Sequence, residues 1–315
     1  MRSDVNRYID LATTALALGI AVEPLLVKPC NVSRLWDRGN LTLGMFVFTA
    51  LRAVRLFDNC LKDVKMGIFR FGKRIHDLVL DVFTLIGENT CIGTSILLVP
   101  IAYATYSMLY RGTPPSDIVS VCTYATFLVR KYSTYVDTLY FYKVLRTIAP
   151  SYTRRSIGEA RCPDIYSHDY DIKIIRGNIS LWEVFEESSQ IDIVCAQVVD
   201  CYCDVIKLCN DIVRMLEDNK FIGKTLLVKL LLRYVDTMLL RKYGREIAFE
   251  LCRILLELIQ GAYDILDLAF VNNAYCRNVN LGSFADLIAC ALSLVVLDSL
   301  LKNDYDTFRK LISAR

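Results

Sequence analysis

Histidine is nearly absent: the 315 residues contain two, His76 and His168. Neither stands beside a cysteine pair, and the twelve cysteines include no C-x-x-C, so the spacing of a zinc site is missing. Glycine (14) and proline (7) are scarce, which argues against a turn-rich all-β fold. Neither sign of charge dominates. The 37 Lys+Arg and 34 Asp+Glu leave +3, too even for bulk attraction to nucleic acid, so no nucleic-acid partner is expected. The opening MRSDVNRYID puts an acid before its apolar run and lacks a clear cleavage site. No signal peptide is therefore expected, and the cytoplasm is the expected compartment. Internal repeats and low-complexity segments are also missing.

What is abundant is apolar. Hydrophobic residues make up 54%, and mean hydropathy is +0.35. That excess poses a choice between membrane spans and deeply buried helices. Residues 11–22 are apolar but short of the ~20 a span needs. Residues 284–301 carry Asp286 and Asp298. Residues 89–110 hold no charge, yet open on Asn-Thr and contain Pro100 and several hydroxyls. A core helix of a large α protein is also apolar all round, so burial rather than a membrane is the expectation. The cysteines are expected to be free thiols packed as small core hydrophobes, with disulfides as the alternative.

Helical periodicity dominates. Ile191, Val194, Val198, Cys201, Val205, Leu208, Ile212 and Met215 recur in steps of three or four, predicting one long helix. Ile247, Leu251, Ile254 and Leu258 repeat the pattern, as do Leu287, Ala291, Leu294, Leu297 and Leu301. No long stretch alternates with period two. The expected fold is all-α: a single large multi-helix domain over 1–315, with buried central helices and about ten or more helices. Residues 28–40, 111–116 and 272–282 read as loops, and 149–180 as an irregular insertion or lid.

Polar residues cluster at four interruptions. The first runs Glu23-Pro24, Lys28-Pro29-Cys30-Asn31-Val32-Ser33-Arg34 and Asp37; its cations and loop N–H groups suit phosphate, its carboxylates Mg²⁺ or a hydroxyl. The second, Gly87-Glu88-Asn89-Thr90-Cys91-Ile92-Gly93, precedes a strongly apolar helix whose first N–H groups favour an anion. The third is Asp236-Thr237 with Arg241, Lys242 and Gly244; Thr237 and Arg241 share a helix face. The fourth, Asn280-Leu281-Gly282-Ser283-Phe284-Ala285-Asp286, carries the S-x-x-D spacing of a capping box. Ordinary helix capping explains the first, second and fourth clusters singly, and a surface salt-bridge pair explains the third.

In this order the four clusters resemble the triphosphoribosyl-dephospho-CoA synthase family, in its archaeal-type branch. Its E…KPGNV-x-R-x-x-D is matched by Glu23, Lys28, Pro29, Asn31, Val32, Arg34 and Asp37. GTNT-x-x-G is matched by Gly87, Asn89, Thr90 and Gly93, and D-T-x-x-x-R-K-x-G by Asp236, Thr237, Arg241, Lys242 and Gly244. N-P-G-[ST]-x-A-D-L is matched by Asn280, Gly282, Ser283, Ala285, Asp286 and Leu287. The chain also departs from the pattern. Cys30 stands for Gly, Asn40 and Met45 for acids, Glu88 for Thr, Cys91 for Asn and Leu281 for Pro.

The resemblance implies an ATP-dependent transferase. It would join the 2′-hydroxyl of 3′-dephospho-CoA to C1 of the ATP ribose and release adenine, with Mg²⁺ alongside the triphosphate. Its partners would be ATP and a CoA-like small molecule. A diverged paralogue moving another ribosyl or nucleotide group, or a non-catalytic nucleotide binder, is the alternative. The implied roles are catalysis by Asp37, Asp236 and Asp286; substrate or phosphate binding by Lys28, Asn31, Arg34, Asn89, Thr90, Thr237, Arg241, Lys242 and Asn280; and metal binding by Asp37, Asp236, Glu23 and Glu88. Which acid is the base stays open.

Overall fold

The computed structural model describes residues 2–149, 161–217 and 222–313. These form sixteen α-helices and no sheet, as the absent period-two pattern predicts. In chain order they are α1 (Arg2–Val22), α2 (Leu43–Lys65), α3 (Phe71–Ile86), α4 (Ile92–Tyr110), α5 (Ile118–Tyr132), α6 (Tyr135–Ile148), α7 (Tyr170–Gly177) and α8 (Leu181–Ser188). Then follow α9 (Ile193–Val199), α10 (Cys203–Glu217), α11 (Ile222–Leu231), α12 (Thr237–Tyr243), α13 (Arg245–Gly261), α14 (Ile265–Tyr275), α15 (Gly282–Leu301) and α16 (Tyr305–Ile312).

The centre is built from α1, α4 and α15. They carry the three apolar stretches of the sequence, each long and apolar enough to cross a membrane by length and composition. Within the protein they are largely covered: 94% of the most apolar window of α4 is buried, 78% of that of α15 and 61% of that of Val5–Leu25. A helix apolar on every side demands neighbours on every side, and α2, α3, α5 and α10 supply them. Small residues bring α1 and α15 together. Ser293 Oγ donates to the Leu16 carbonyl at 2.9 Å, and a Cβ on Gly19 would fall 2.1 Å from that same oxygen. Thr13 and Tyr106 hydroxyls meet at 2.7 Å and tie α1 to α4.

Three sequence expectations change. The long helix over 191–215 is two helices, because Cys201 and Tyr202 take left-handed backbone (φ +53° and +60°). The break drives Tyr202 fully into the core, where its hydroxyl donates to the Leu97 carbonyl of α4 at 2.9 Å. Gln197 caps the new helix start, its Oε1 accepting from Asp204 and Val205 N–H. On α13 the buried stripe is Ala248, Cys252, Leu255 and Ile259, one residue beyond the expected set; Ile247 is 55% exposed. Of the stretch 149–180, residues 150–160 lie outside the described residues, and 170–177 form α7 rather than irregular chain.

Candidate functional site

The first cluster turns the chain back after a short 3-10 turn, Glu23–Leu25. Lys28 is wholly buried. Its ammonium sits 2.9 Å from Glu23 Oε1 and donates to the carbonyls of Val32 (2.7 Å) and Glu23 (3.3 Å). A carboxylate as buried as Glu23 needs a countercharge, and Lys28 is that countercharge. Burial still pushes the Glu23 pKa up, with Lys28 opposing. The expectation that Lys28 grips phosphate is therefore corrected. Trp36 Nε1 donates to the carbonyls of Lys28 and Asn31, and backbone bridges Ser33–Trp36 and Arg38–Leu41 close the loop. Arg34 and Asp37 end up exposed on its outer side.

The second cluster leads into α4. Asn89 Oδ1 accepts from Ile92 N–H at 3.2 Å, so this side chain caps the helix. Thr90 Oγ1 meets Thr49 Oγ1 of α2 at 2.6 Å. The anion expected at the start of α4 comes from the protein itself: the carboxylate of Asp286 on α15. Its Oδ1 accepts from Thr94 Oγ1 at 2.5 Å, and Oδ2 lies where a Cβ on Gly93 would come within 2.1 Å. The positive end of the helix dipole favours an anion there. Burial nevertheless raises the Asp286 pKa to about 7, Thr94 opposing it and the nearby charge of Glu23 adding to it.

The third and fourth clusters interlock. Asp236 Oδ1 accepts from the N–H groups of Met238 (2.9 Å) and Leu239 (3.3 Å), capping α12, while Oδ2 accepts from Phe284 N–H (3.1 Å) in the first turn of α15. One buried carboxylate thus starts two helices. Thr237 and Ser283 hydroxyls join at 2.8 Å beside it. Burial pushes the Asp236 pKa up to about 7 against its three N–H donors. Both oxygens are engaged, so the structure gives Asp236 a capping place, not a cavity-facing one. The expected Ser283–Asp286 capping box does not form, because α15 begins at Gly282 without a side-chain cap and Asp286 turns toward α4. Arg241 pairs with Asp192 at 2.6 Å, and Lys242 donates to the Asn278 carbonyl at 3.3 Å.

These loops surround a cavity of about 310 Å³. Its lining is polar at Glu23, Asn31, Glu88, Asn89, Thr90, Asn280 and Asp286 and apolar at Leu41, Phe46, Phe83, Ile148 and Met238. The first, second and fourth clusters therefore converge, and the third reaches the cavity through Met238 alone. Three carboxylates line the space, and no Lys or Arg does among the described residues. Asn31 donates through Nδ2 to the Leu281 carbonyl at 2.9 Å, and its buried Oδ1 finds no partner among the described residues. Asn40, one of the two positions that lose an acid against the family pattern, touches Glu88, the position that gains one: Asn40 Nδ2 donates to Glu88 Oε1 at 2.9 Å. A carboxylate missing from one loop is supplied across the gap by the other. No group of three or more His, Cys, Asp or Glu side chains is arranged to hold a metal ion among the described residues.

The floor of the site is covalently joined. Cys30 and Cys276 form a disulfide, which corrects the expectation of free thiols at these two positions; the other ten cysteines are free. Leu281 N–H donates to the Cys30 carbonyl (3.1 Å), Cys30 N–H to Asn272 Oδ1 (3.1 Å), and Arg38 to the Val279 carbonyl. Phe46, Phe83, Met238 and Thr94 escaped sequence reasoning. They sit in apolar helical stretches and carry no motif, and only the packing of α2, α3, α4 and α12 around the cavity reveals them.

The chain is similar in fold to the crystal structure of an Archaeoglobus fulgidus protein presumed to be a triphosphoribosyl-dephospho-CoA synthase. The TM-score is 0.57 at 18% identity, over 79% of this chain and 98% of that one. No curated protein matches the sequence. The family model described as ATP:dephospho-CoA triphosphoribosyl transferase matches residues 6–305, nearly the whole chain over which the four clusters and their cavity are built, and the chain belongs to that family.

Proposed function

We propose that the cavity takes the nucleoside end of ATP during triphosphoribosyl transfer, with Asp286 as the base. The enzyme is a transferase that moves the triphosphoribosyl group of ATP to dephospho-CoA. Three carboxylates in the lining disfavour a polyanion inside and favour a group that becomes cationic. Adenine suits the apolar lining at Phe46 and Phe83, and the ribose the polar lining at Asn31, Asn280, Glu23 and Asp286. The triphosphate then points out of the cavity toward solvent.

Breaking the bond between ribose C1 and adenine N9 develops positive charge on the sugar. The carboxylates of Glu23 and Asp286 stabilise that charge without moving. The incoming 2′-hydroxyl forms a bond to C1 and gives its proton to Asp286, while adenine leaves with the bond pair and takes up a proton from water. A half-buried carboxyl whose pKa is raised to about 7 suits this task, because a base is most effective when its pKa lies near the working pH. Asn31 Oδ1, buried without a partner, accepts from a ribose hydroxyl.

Magnesium, when bound, neutralises part of the triphosphate's charge. The chain fits it through Glu88, with phosphate and water oxygens completing the shell, since Mg²⁺ commonly takes only one or two carboxylates. Asp236 and Glu23 are committed to N–H groups and to Lys28, and Asp37 lies on the outer side of its loop.

The single observation carrying this proposal is Asp286: half-buried, held by Thr94 and lining the cavity. Incubation with Mg²⁺, ATP and dephospho-CoA should release free adenine, read by chromatography. Asp286→Asn should cut kcat by about 10² or more. Near-normal turnover in a folded Asp286→Asn protein overturns the assignment.

A further inference from the structure

We propose that the Cys30–Cys276 disulfide takes the place of a glycine: it holds residue 30 in left-handed backbone and thereby aims Asn31 into the cavity. The inference rests on the proposed placement of ATP beside Asn31. Cys30 has φ +61° and is fully buried. Left-handed backbone is natural for glycine and strained for a residue with a Cβ. Such a conformation persists only where its surroundings over-determine it. Here the surroundings are the sulfur bond to Cys276, the Cys30 N–H bond to Asn272 Oδ1 and the Leu281 N–H bond to the Cys30 carbonyl.

The next residue shows what the strain secures. Asn31, which lines the cavity, spends its Nδ2 on the Leu281 carbonyl and keeps a buried, unpartnered Oδ1. A relaxation of residue 30 to negative φ would rotate the peptide that carries Asn31 and remove that acceptor. Asn280 and Leu281 lie on the other loop that the bridge joins, so the polar lining from both loops depends on it. The cysteines are positioning residues: they act through Asn31 and do not touch substrate.

A plain staple and a glycine substitute make opposite predictions. Breaking the bridge with Cys276→Ser leaves a strained Cys30 with less to hold it. The double variant Cys30→Gly/Cys276→Ser also lacks the bridge but has no strain to hold. Kd for ATP with Mg²⁺ by calorimetry, KM and kcat from adenine release, and Tm would be measured for wild type and both variants. Peptide mapping without reductant checks that the wild type carries the bridge.

The single variant should bind ATP about tenfold more weakly, with KM rising in step and kcat little changed, because the binding-competent conformer is less populated. The double variant should return to within about threefold of wild type in Kd, although its Tm stays below wild type. A single variant that fails to fold, beside a double variant that folds and binds, gives the same support. The proposal is overturned by an absent bridge, by wild-type binding in the single variant, by a double variant as weak as the single, or by two variants that both fail to fold. Wild-type protein that binds ATP but releases no adenine would sink the transferase mechanism alone, and the Kd series would still decide this one. Wild-type protein that binds no ATP would sink both.

Discussion

The carboxylate of Asp286 rests on the Cα of Gly93, with Thr94 Oγ1 donating to it at 2.5 Å. Residues 192 positions apart thus build one contact, and it has no room for a methyl group. Gly93→Ala should displace the carboxylate and lower kcat by tenfold or more while KM for ATP moves little. Steady-state adenine release is the measurement.

The pKa of Asp286 gives a pH signature. A base must be deprotonated, so kcat should rise with pH through about 7 and then level. Stability runs the other way. The folded-state pKa is raised above the unfolded value, so the folded protein binds the extra proton between about pH 4 and 7 and loses stability as pH rises through that window. Asp286→Asn removes this loss. Its Tm at pH 8 should match or exceed wild type while its activity collapses. A Tm well below wild type at pH 8 would contradict the assignment.

Asp236→Asn should damage the fold rather than the chemistry. The new amide would face one of the three N–H donors that the carboxylate now satisfies. Leaving a buried donor unsatisfied costs about 1–3 kcal/mol. Tm should fall, and KM and kcat measured well below that Tm should change less than threefold.

Lys28→Met should be severely destabilising, by about 3–5 kcal/mol, because it leaves Glu23 buried without its countercharge. Adding Glu23→Gln should recover much of the Tm. Turnover of the double variant should still fall about tenfold, because Glu23 lines the cavity and its charge is lost, whereas the ammonium reaches only Glu23 and Val32.

Glu88 and Asn40 should behave as an exchangeable pair. Glu88→Thr removes the carboxylate that lines the cavity, and kcat/KM should fall about tenfold. Asn40→Asp in that background restores an acid at the adjoining position and should recover most of the loss. A double variant no better than the single would mean that the two positions are not equivalent places for one charge.

The sequence made the helical class and the buried α4 and α15 legible, because apolar runs of that length with two charges or none leave few alternatives. It also flagged the residues that meet at the cavity, since Asn31, Glu88 and Asp286 each interrupt an apolar pattern. It did not reveal which polar residues serve the fold. Lys28 and Asp236 look like site residues by type and spacing, and only the direction of each side chain shows that one neutralises Glu23 and the other caps two helices. The break at Cys201–Tyr202 was hidden as well, because the helical period continues across it. Its cause lies 105 residues away, at the Leu97 carbonyl. The Cys30–Cys276 pairing, with a sequence separation of 246, has no local signature at all.

The close approach of Gly19 to Ser293 has a consequence during synthesis. The apolar face of α1 is made well before α15. At about 5–20 residues per second, roughly 15–60 s separate the two on the ribosome. For that interval α1 lacks its main partner, and a helix apolar enough to cross a membrane is without its cover. Folding of the centre must therefore wait for α15. The nascent protein is a natural client for chaperones that shield apolar helices, and truncations ahead of α15 should yield chains that aggregate.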